Sequence, residues 1–258
     1  MRAVDKAAVL AEPLLVARGL TKRYGGLVAN AGIDFDLRPR EVHAVIGPNG
    51  GGKTTLLGQL MGEIEPDAGT IALTGADITA LAVPERVLRG LARSYQVTSV
   101  FPGFTVLENV AFGLRARRRT TSRFWRAART GGELGEAAAA ILRRVGLSGR
   151  SGVDAAVLSH GEQRQLEIAI ALSTTPKVLL LDEPLAGLGV DEGRRMVDLI
   201  ASIAGPIAIV LVEHDMDAVF ALADRITVLV DGAVIASGAP DAIRADPLVR
   251  SAYLGEDL

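Results

Sequence analysis

The 258-residue chain contains no cysteine, which excludes both a disulfide framework and thiolate ligands for zinc and fits a reducing compartment. It also lacks any long hydrophobic run. The most apolar stretches, VLLL at residues 178–181 and IAIVLV at 207–212, have the length of a strand, whereas a membrane-spanning helix needs roughly 18 apolar residues. We therefore expect a soluble chain whose membrane role, if it has one, depends on a partner.

No sign of charge dominates the chain. The formal net charge is -2, which argues against a protein whose main task is to coat nucleic acid. The N-terminal apolar stretch is interrupted by Asp5, Lys6 and Glu12, so we do not expect a signal peptide. Residues 115–129 are the local exception, with seven arginines and no acidic residue. We interpret them as a solvated, partly membrane-proximal face, with contact to anionic lipid as the alternative.

Short apolar runs alternate with amphipathic helical stretches, which is typical of a mostly parallel sheet covered by helices. Buried strands are predicted at residues 41–47, 177–184 and 207–214, each ending in polar residues. Residues 14–37 alternate in the manner of antiparallel strands, and residues 225–238 predict a hairpin around Asp231-Gly232. From 104 to 147 the pattern is helical. These patterns favour an α/β core with an inserted helical subdomain.

The first predicted buried strand leads directly into the sequence GPNGGGKTT at residues 47–55. It matches G-x-x-x-x-G-K-[ST], a P-loop, and it stands between a strand and a helix as that motif requires. Glycines let backbone N–H groups converge on phosphate, and the helix N-terminus favours the anion. A third glycine at Gly51 is expected to add loop flexibility and to keep the cradle. Lys53 is expected to contact the β- and γ-phosphates, and Thr54 to ligate Mg²⁺. The expected contacts to ATP from this segment are Gly47, Pro48, Asn49, Gly50, Gly51, Gly52, Lys53, Thr54 and Thr55.

Two further predicted strands end in groups suited to hydrolysis. Asp182 and Glu183 close the strand LLLDEP, where an aspartate can hold the Mg²⁺ shell and a glutamate can activate the attacking water. His214 ends the neighbouring strand and is expected to help fix that water near the γ-phosphate. The segment LSHGEQRQLEIA at 158–169 permits a hydrolase triad around Ser159 and His160, but the chain already holds a phosphate-hydrolysing set elsewhere.

Taken in order, these motifs resemble the ATP-binding subunit of ABC transporters across nearly the whole chain. The resemblance implies a P-loop NTPase core with an antiparallel β subdomain and an inserted α-helical subdomain. It implies one nucleotide-binding domain over residues 10–258, with the helical subdomain at about 97–160. It also implies that Tyr24 stacks on adenine, and that Gln96 joins Thr54 and Asp182 around Mg²⁺.

The same resemblance implies a head-to-tail dimer with two ATP molecules between the chains. Each ATP would contact the P-loop of one chain and Ser159, Gly161 and Glu162 of the other. Two departures stand out: His160 replaces the family's glycine, and residues 186–189 (AGLG) lack the usual aspartate of the dimer loop. The second departure puts the cross-dimer aspartate contact in doubt.

Within the family, the sequence looks most like the ATPase subunits of branched-chain amino acid importers. The segments QVTSVFPGFTVLENV, LEIA and GAVIASGAPDAIRADPLVRSAYLGE carry this likeness. It implies transmembrane permease partners, an indirect extracytoplasmic solute-binding protein, no specific nucleic acid, and a peripheral position on the cytoplasmic face of the bacterial inner membrane. An importer of urea or short-chain amides is the alternative.

More distant alternatives have specific features against them. A soluble ABC ATPase acting on DNA or ribosomes usually carries two cassettes or a long coiled coil, and this chain has neither. A P-loop kinase would not need the LSHGEQ segment or Glu183 beside Asp182. The C-terminal segment disfavours a lipid exporter.

Overall fold

The computed structural model describes residues 12–94, 100–117 and 132–251. Its strands are β1 (Leu15–Tyr24), β2 (Leu27–Leu37), β3 (Val42–Ile46), β4 (Ala68–Leu73), β5 (Ala76–Asp77), β6 (Leu91–Ser94), β7 (Val178–Asp182), β8 (Ala208–Val212), β9 (Arg225–Val230) and β10 (Ala233–Gly238). Its α-helices are α1 (Lys53–Met61), α2 (Val83–Leu88), α3 (Val106–Arg117), α4 (Glu133–Arg144), α5 (His160–Ser173), α6 (Val190–Ile203), α7 (Met216–Leu222), α8 (Pro240–Ala245) and α9 (Pro247–Val249).

The central sheet has six strands in the order β10-β9-β3-β8-β7-β6. Strands β9, β3, β8, β7 and β6 run parallel, and β10 adds an antiparallel edge. Every residue of β3, β7 and β8 is buried, as expected for parallel strands covered on both faces. The three strands predicted from apolar runs are therefore confirmed, and their carboxyl ends meet at one edge of the sheet.

A second sheet, ordered β2-β1-β4-β5, is entirely antiparallel. Successive side chains of β7 point to opposite faces of the central sheet and pack into two different parts of the core. Val178 and Leu180 pack with the antiparallel sheet and α1, whereas Leu179 and Leu181 pack with the layer formed by α3 to α6. The predicted fold class, an α/β core with antiparallel and helical additions, is confirmed.

The predicted hairpin and helix are also confirmed. Asp231 and Gly232 have φ angles of 49° and 76°, the left-handed pair that a tight two-residue hairpin needs. Helix α4 occupies the amphipathic stretch at 133–144. Most of the arginine-rich stretch at 115–129 lies outside the described residues. Within the described part of the chain, every helix is too short or too polar to cross a membrane.

A buried arginine fixes the far end of α1. Arg86 is 1% exposed, and its Nη1 donates to the carbonyls of Gln59 (2.8 Å) and Leu60 (2.7 Å) in the last turn of α1. The last carbonyls of a helix lack the regular i+4 partner, and a cation near them complements the helix dipole. Arg86 thus anchors the helix whose other end follows the P-loop.

A buried polar cluster joins the two sheets near the start of β3. His43 of β3 is 1% exposed and stacks on Phe35 of β2, with ring centroids 4.4 Å apart. Its Nδ1 lies 2.8 Å from the carbonyl of Asp36, and its Nε2 lies 2.7 Å from the hydroxyl of Thr227. A carbonyl only accepts, so Nδ1 carries the proton and Nε2 accepts from Thr227. Burial and the charge of Arg225 lower the pKa of His43 to about 3.

Candidate active site

The P-loop lies between the carboxyl end of β3 and the first residue of α1. A β-carbon on Gly47 would come within 1.9 Å of the Leu229 carbonyl oxygen, and one on Gly51 within 2.8 Å. Both distances are shorter than real β-carbon contacts, so these two positions have to be glycine for β9 to pack against the loop. Gly51 therefore serves close packing, where the sequence had indicated added loop flexibility.

The loop is braced from two other elements. Asn30 of β2 is buried, and its side-chain amide donates to the Gly52 carbonyl over 3.2 Å. The N–H of Gly232 donates to the Gly51 carbonyl (3.2 Å), and the Gly232 carbonyl accepts from Ala31 (2.9 Å). The β9–β10 turn and β2 together hold the path of the phosphate loop from outside.

Lys53, the first residue of α1, turns its side chain back over the loop. Its Nζ donates to the carbonyls of Gly47 (2.7 Å) and Pro48 (2.9 Å). Burial lowers the pKa of Lys53, and the carboxylates of Glu183 and Asp182 act in the opposite direction. The structure therefore brings the P-loop lysine into the field of the two predicted strand-end carboxylates. The neighbouring Thr54 is exposed.

Asp182, the last residue of β7, is buried and ion-paired. Arg93 of β6 donates from Nη2 to Asp182 Oδ2 over 2.6 Å, and its Nη1 pairs with Glu63, which follows α1. The side chains of Arg93 and Asp182 are 7% and 3% exposed. Arg93 thus connects the predicted Mg²⁺ aspartate to the end of the P-loop helix.

Glu183 adopts a left-handed backbone conformation, with φ of 46°. Such a conformation is costly for a residue other than glycine and is found most often at functional sites. Its N–H donates to the Val212 carbonyl at the end of β8 over 2.8 Å. The sharp turn after Asp182 therefore places Glu183 beside the end of the neighbouring strand.

That neighbouring strand is followed by Glu213 and His214, whose side chains have opposite environments. The His214 side chain is 64% exposed, whereas the Glu213 side chain is fully buried. Glu213 Oε1 accepts from the N–H of Leu185 (2.7 Å), and Oε2 accepts from the N–H of His214 (3.1 Å). Burial raises the pKa of Glu213, and these backbone hydrogen bonds oppose the rise.

The LSHGEQ segment forms the N-terminus of α5. Ser159 is the N-cap: its Oγ accepts from the N–H of Glu162 (3.2 Å), and its own N–H donates to Glu162 Oε2 (3.0 Å). Glu162 Oε1 accepts from Arg150 Nε over 2.6 Å. The Ser159 and Arg150 hydrogen bonds lower the pKa of Glu162. A capping box and an ion pair therefore hold this turn in shape.

A cavity of about 320 Å³ opens beside this turn. Its walls include Ser159, Gly161 and Glu162 together with Arg150, Glu192 and Arg195. The P-loop contributes none of the described residues that line it. Within one chain, the P-loop contacts therefore do not share this opening with Ser159, Gly161 and Glu162.

His160 contacts the loop that lacks the family's aspartate. Its Nε2 lies 3.2 Å from the Ala186 carbonyl, and a β-carbon on Gly187 would be 3.1 Å from the same nitrogen. The Ser159 hydroxyl caps the helix, so neither side chain activates the other. This geometry gives no support to a Ser-His triad and assigns His160 to packing against residues 186–187.

Tyr24 and Gln96 are the remaining predicted contacts to ATP. Tyr24, at the end of β1, is 49% exposed, and Lys22 Nζ lies 5.7 Å from its ring centroid. Its ring is therefore accessible, as a stacking platform requires. Gln96 lies outside the described residues.

Sequence reasoning missed Arg93, Glu213 and Arg150. Arg93 stands three positions before Gln96, and Glu213 stands directly before His214, so closeness to predicted site residues was the available signal. Arg150 had no such signal, since its pairing with Glu162 joins a loop to a helix start.

Comparison with known families agrees with this geometry. Residues 31–186, more than half of the chain, match the family model for the ABC transporter. The chain belongs to the ABC transporter family. A second family model, branched-chain amino acid ATP-binding cassette transporter, matches residues 233–258 of this ABC protein.

Relatives of this ABC transporter chain match it over nearly its whole length. The high-affinity branched-chain amino acid transport ATP-binding protein LivG of Escherichia coli is 38% identical over 257 residues, covering 96% of this chain and 100% of LivG. Its counterpart BraF of Pseudomonas aeruginosa is 37% identical with the same coverage.

A solved structure extends the agreement to three dimensions. An ATP-binding cassette of an ABC transporter in its ADP conformation superimposes with a TM-score of 0.84 at 28% identity, covering 95% of this chain and 100% of the other. The present chain is accordingly a nucleotide-binding ATPase of this family.

Proposed function

We propose that this chain is the ATP-hydrolysing subunit that powers the import of branched-chain amino acids through a membrane ABC transporter. The observation that carries the proposal is the double match, with an ABC transporter model over residues 31–186 and a branched-chain amino acid model over 233–258. LivG and BraF, both named for branched-chain amino acid transport, align over their full lengths. Urea and short-chain amides remain the alternative solutes.

ATP binds at the P-loop in this proposal, with Tyr24 stacking on adenine. The support is the tightly packed glycine loop of residues 47–52, the start of α1 and the placement of Lys53 over the loop. The backbone of Gly47, Pro48, Asn49, Gly50, Gly51 and Gly52, with Lys53, Thr54 and Thr55, forms the cradle. Lys53 exchanges its carbonyl partners for phosphate oxygens, which are stronger acceptors for an ammonium.

The residues present also fit Mg²⁺, because an exposed hydroxyl and a buried carboxylate are the hard oxygen donors that this ion takes. Thr54 and Asp182 would hold it, with Gln96 completing the set. When bound, Mg²⁺ offsets the charge of the β- and γ-phosphates. Thr54 is the second residue of α1 and Asp182 ends β7, so both lie at the edge of the sheet where the P-loop lies.

Glu183 acts as the general base on the attacking water, and His214 fixes that water near the γ-phosphate. The left-handed turn at Glu183 and its hydrogen bond to Val212 support this pairing, since both side chains start from adjoining strand ends. The Glu183 carboxylate also lies in the electrostatic field of Lys53, on the side of the sheet where the P-loop lies.

The second half of each site comes from a partner chain, a second ABC ATPase subunit of the same or a related sequence. Ser159, Gly161 and Glu162 face the partner's ATP from the N-terminus of α5, where the helix dipole favours phosphate. Glu162 also has a role within its own chain, since its carboxylate holds the N–H of Ser159 and pairs with Arg150.

Residues 10–258 form one nucleotide-binding domain, and about 97–160 form its helical subdomain. Gln96 and this subdomain pass the opening of the dimer to the transmembrane permease subunits on the cytoplasmic face of the cell membrane, the inner membrane of a bacterium. A solute-binding protein outside the membrane delivers the amino acid to the permease. Nothing in this arrangement requires nucleic acid.

Uptake measurements distinguish the two solute classes. Cells lacking the gene are complemented with the wild type or with Glu183→Gln, and uptake of labelled leucine and of labelled urea is compared. The proposal expects leucine uptake to return only with the wild type and urea uptake to be the same in all strains. Restoration of urea uptake alone would contradict it.

A further inference from the structure

Glu213 is a fully buried carboxylate at the edge of the sheet where the site lies. It directly follows β8, and its side chain is 0% exposed, while the adjacent His214 side chain is 64% exposed. A carboxylate is rarely buried unless its oxygens are satisfied. The groups that donate hydrogen bonds to its oxygens therefore identify the segments that Glu213 holds.

The two oxygens of Glu213 hold two different segments of the site. Oε1 accepts from the N–H of Leu185, two residues after Glu183, over 2.7 Å. Oε2 accepts from the N–H of His214 over 3.1 Å, and the N–H of Asp215 also hydrogen-bonds the carboxylate. One side chain thus joins the turn after Glu183 to the backbone of His214.

The turn that Glu213 supports is under strain. Glu183 has φ of 46°, which an ordinary side chain adopts only when its surroundings enforce it. The Glu183 N–H is held by Val212 at 2.8 Å, and Leu185 is held by Glu213. These two hydrogen bonds, to Val212 and Glu213 at the end of β8, hold the turn on either side of Pro184.

We propose that Glu213 is a positioning residue for ATP hydrolysis, which fixes the Glu183 turn and the His214 backbone relative to each other. The inference rests on the proposed function, in which Glu183 is the base and His214 fixes the water. Only a side chain with two acceptor oxygens serves both segments. Glutamine offers one acceptor, and its NH₂ group then faces an N–H and repels it.

The test compares Glu213→Gln with the wild type in steady-state ATP hydrolysis and in ATP binding. We expect kcat to fall about tenfold or more, because small displacements of catalytic groups are costly. The dissociation constant for ATP stays within about twofold of the wild type, since the P-loop is held by other contacts. The double variant Glu183→Gln/Glu213→Gln is expected to be no slower than Glu183→Gln alone.

Glu41→Gln is the matched control. Glu41 is also a buried carboxylate, 7% exposed, and it holds the N–H of Arg38 and the guanidinium of Arg225. It precedes β3, at the opposite end of the strands from the site. We expect Glu41→Gln to lower stability without changing kcat.

The outcomes separate this inference from the function on which it rests. An unchanged kcat in Glu213→Gln, or an equal fall in kcat in Glu41→Gln, would overturn the positioning role. Normal turnover by Glu183→Gln would instead overturn the proposed base. Should Glu213→Gln fail to fold, Glu213→Asp is read in its place: it keeps the charge but shortens the reach, and the same loss of kcat is expected.

Discussion

Arg93 Nη2 lies 2.6 Å from Asp182 Oδ2, and the two side chains are 7% and 3% exposed. The same guanidinium pairs with Glu63 through Nη1. Three charged groups, from β6, β7 and the segment after α1, thus meet beside the carboxyl end of β7. Asp182, the predicted Mg²⁺ ligand, is therefore held by Arg93, which lies outside every motif identified in the sequence.

Arg93→Met should lower the free energy of unfolding by about 3 kcal/mol, because it leaves the buried Asp182 carboxylate without its partner. Urea unfolding without nucleotide measures the change. Adding Asp182→Asn should recover part of the loss, since the unpaired charge is then removed. Strictly additive losses in the double variant would show that the two residues do not interact.

His43 predicts a specific loss of stability in acid. Burial and the charge of Arg225 lower its pKa to about 3, whereas an unfolded histidine titrates near 6.5, about its usual value. The unfolded chain therefore binds a proton that the folded protein excludes. The contribution of His43 is complete above about pH 6.5 and is lost progressively as the pH falls toward 3.

Between pH 7 and pH 5 the loss should amount to about 2 kcal/mol. Urea unfolding of the wild type and of His43→Gln at both values isolates this share, because other titrating groups are common to the two proteins. The wild type should lose about 2 kcal/mol more than the variant. Equal losses in the two proteins would show that His43 takes up its proton in the folded state.

Ser159→Arg should block ATP-driven dimerisation while leaving ATP binding to the monomer unchanged. The arginine side chain would fill the opening beside the N-terminus of α5, and none of the described residues that line this opening belongs to the P-loop. Light scattering after gel filtration measures the dimer, with Glu183→Gln as the background so that ATP persists. Dimer formation equal to that of the background would count against the role of Ser159 toward the partner's ATP.

Glu183→Gln should retain ATP binding and lose two or more orders of magnitude in steady-state hydrolysis, because the water loses its general base. Glutamine keeps the size of the side chain and one acceptor oxygen, so the strained turn is preserved. Phosphate release and nucleotide binding are measured on the same preparation. Turnover near that of the wild type would remove Glu183 from the proposed mechanism.

The sheet and the P-loop could be predicted because their signals are local. β3, β7 and β8 are short, mostly apolar runs, and the glycine spacing of residues 47–55 indicates a phosphate loop. The hairpin at Asp231-Gly232 was equally local, since two left-handed residues suit that turn.

The supporting contacts could not be predicted, because they join residues far apart in the chain. Arg93 and Asp182 are 89 positions apart, and Glu213 and Leu185 are 28 apart. The role of Gly51 also depends on a distant residue. A third glycine in the loop predicted flexibility, whereas the close approach of the Leu229 carbonyl shows that Gly51 is tightly packed.

The measurement that tests the central proposal most directly is ATP hydrolysis by the chain in vesicles with its permease and solute-binding protein. Leucine-loaded binding protein should stimulate hydrolysis in the wild-type complex and leave the Glu183→Gln complex near zero. Urea should give no stimulation. Hydrolysis that is unaffected by leucine but rises with urea would contradict a branched-chain amino acid importer.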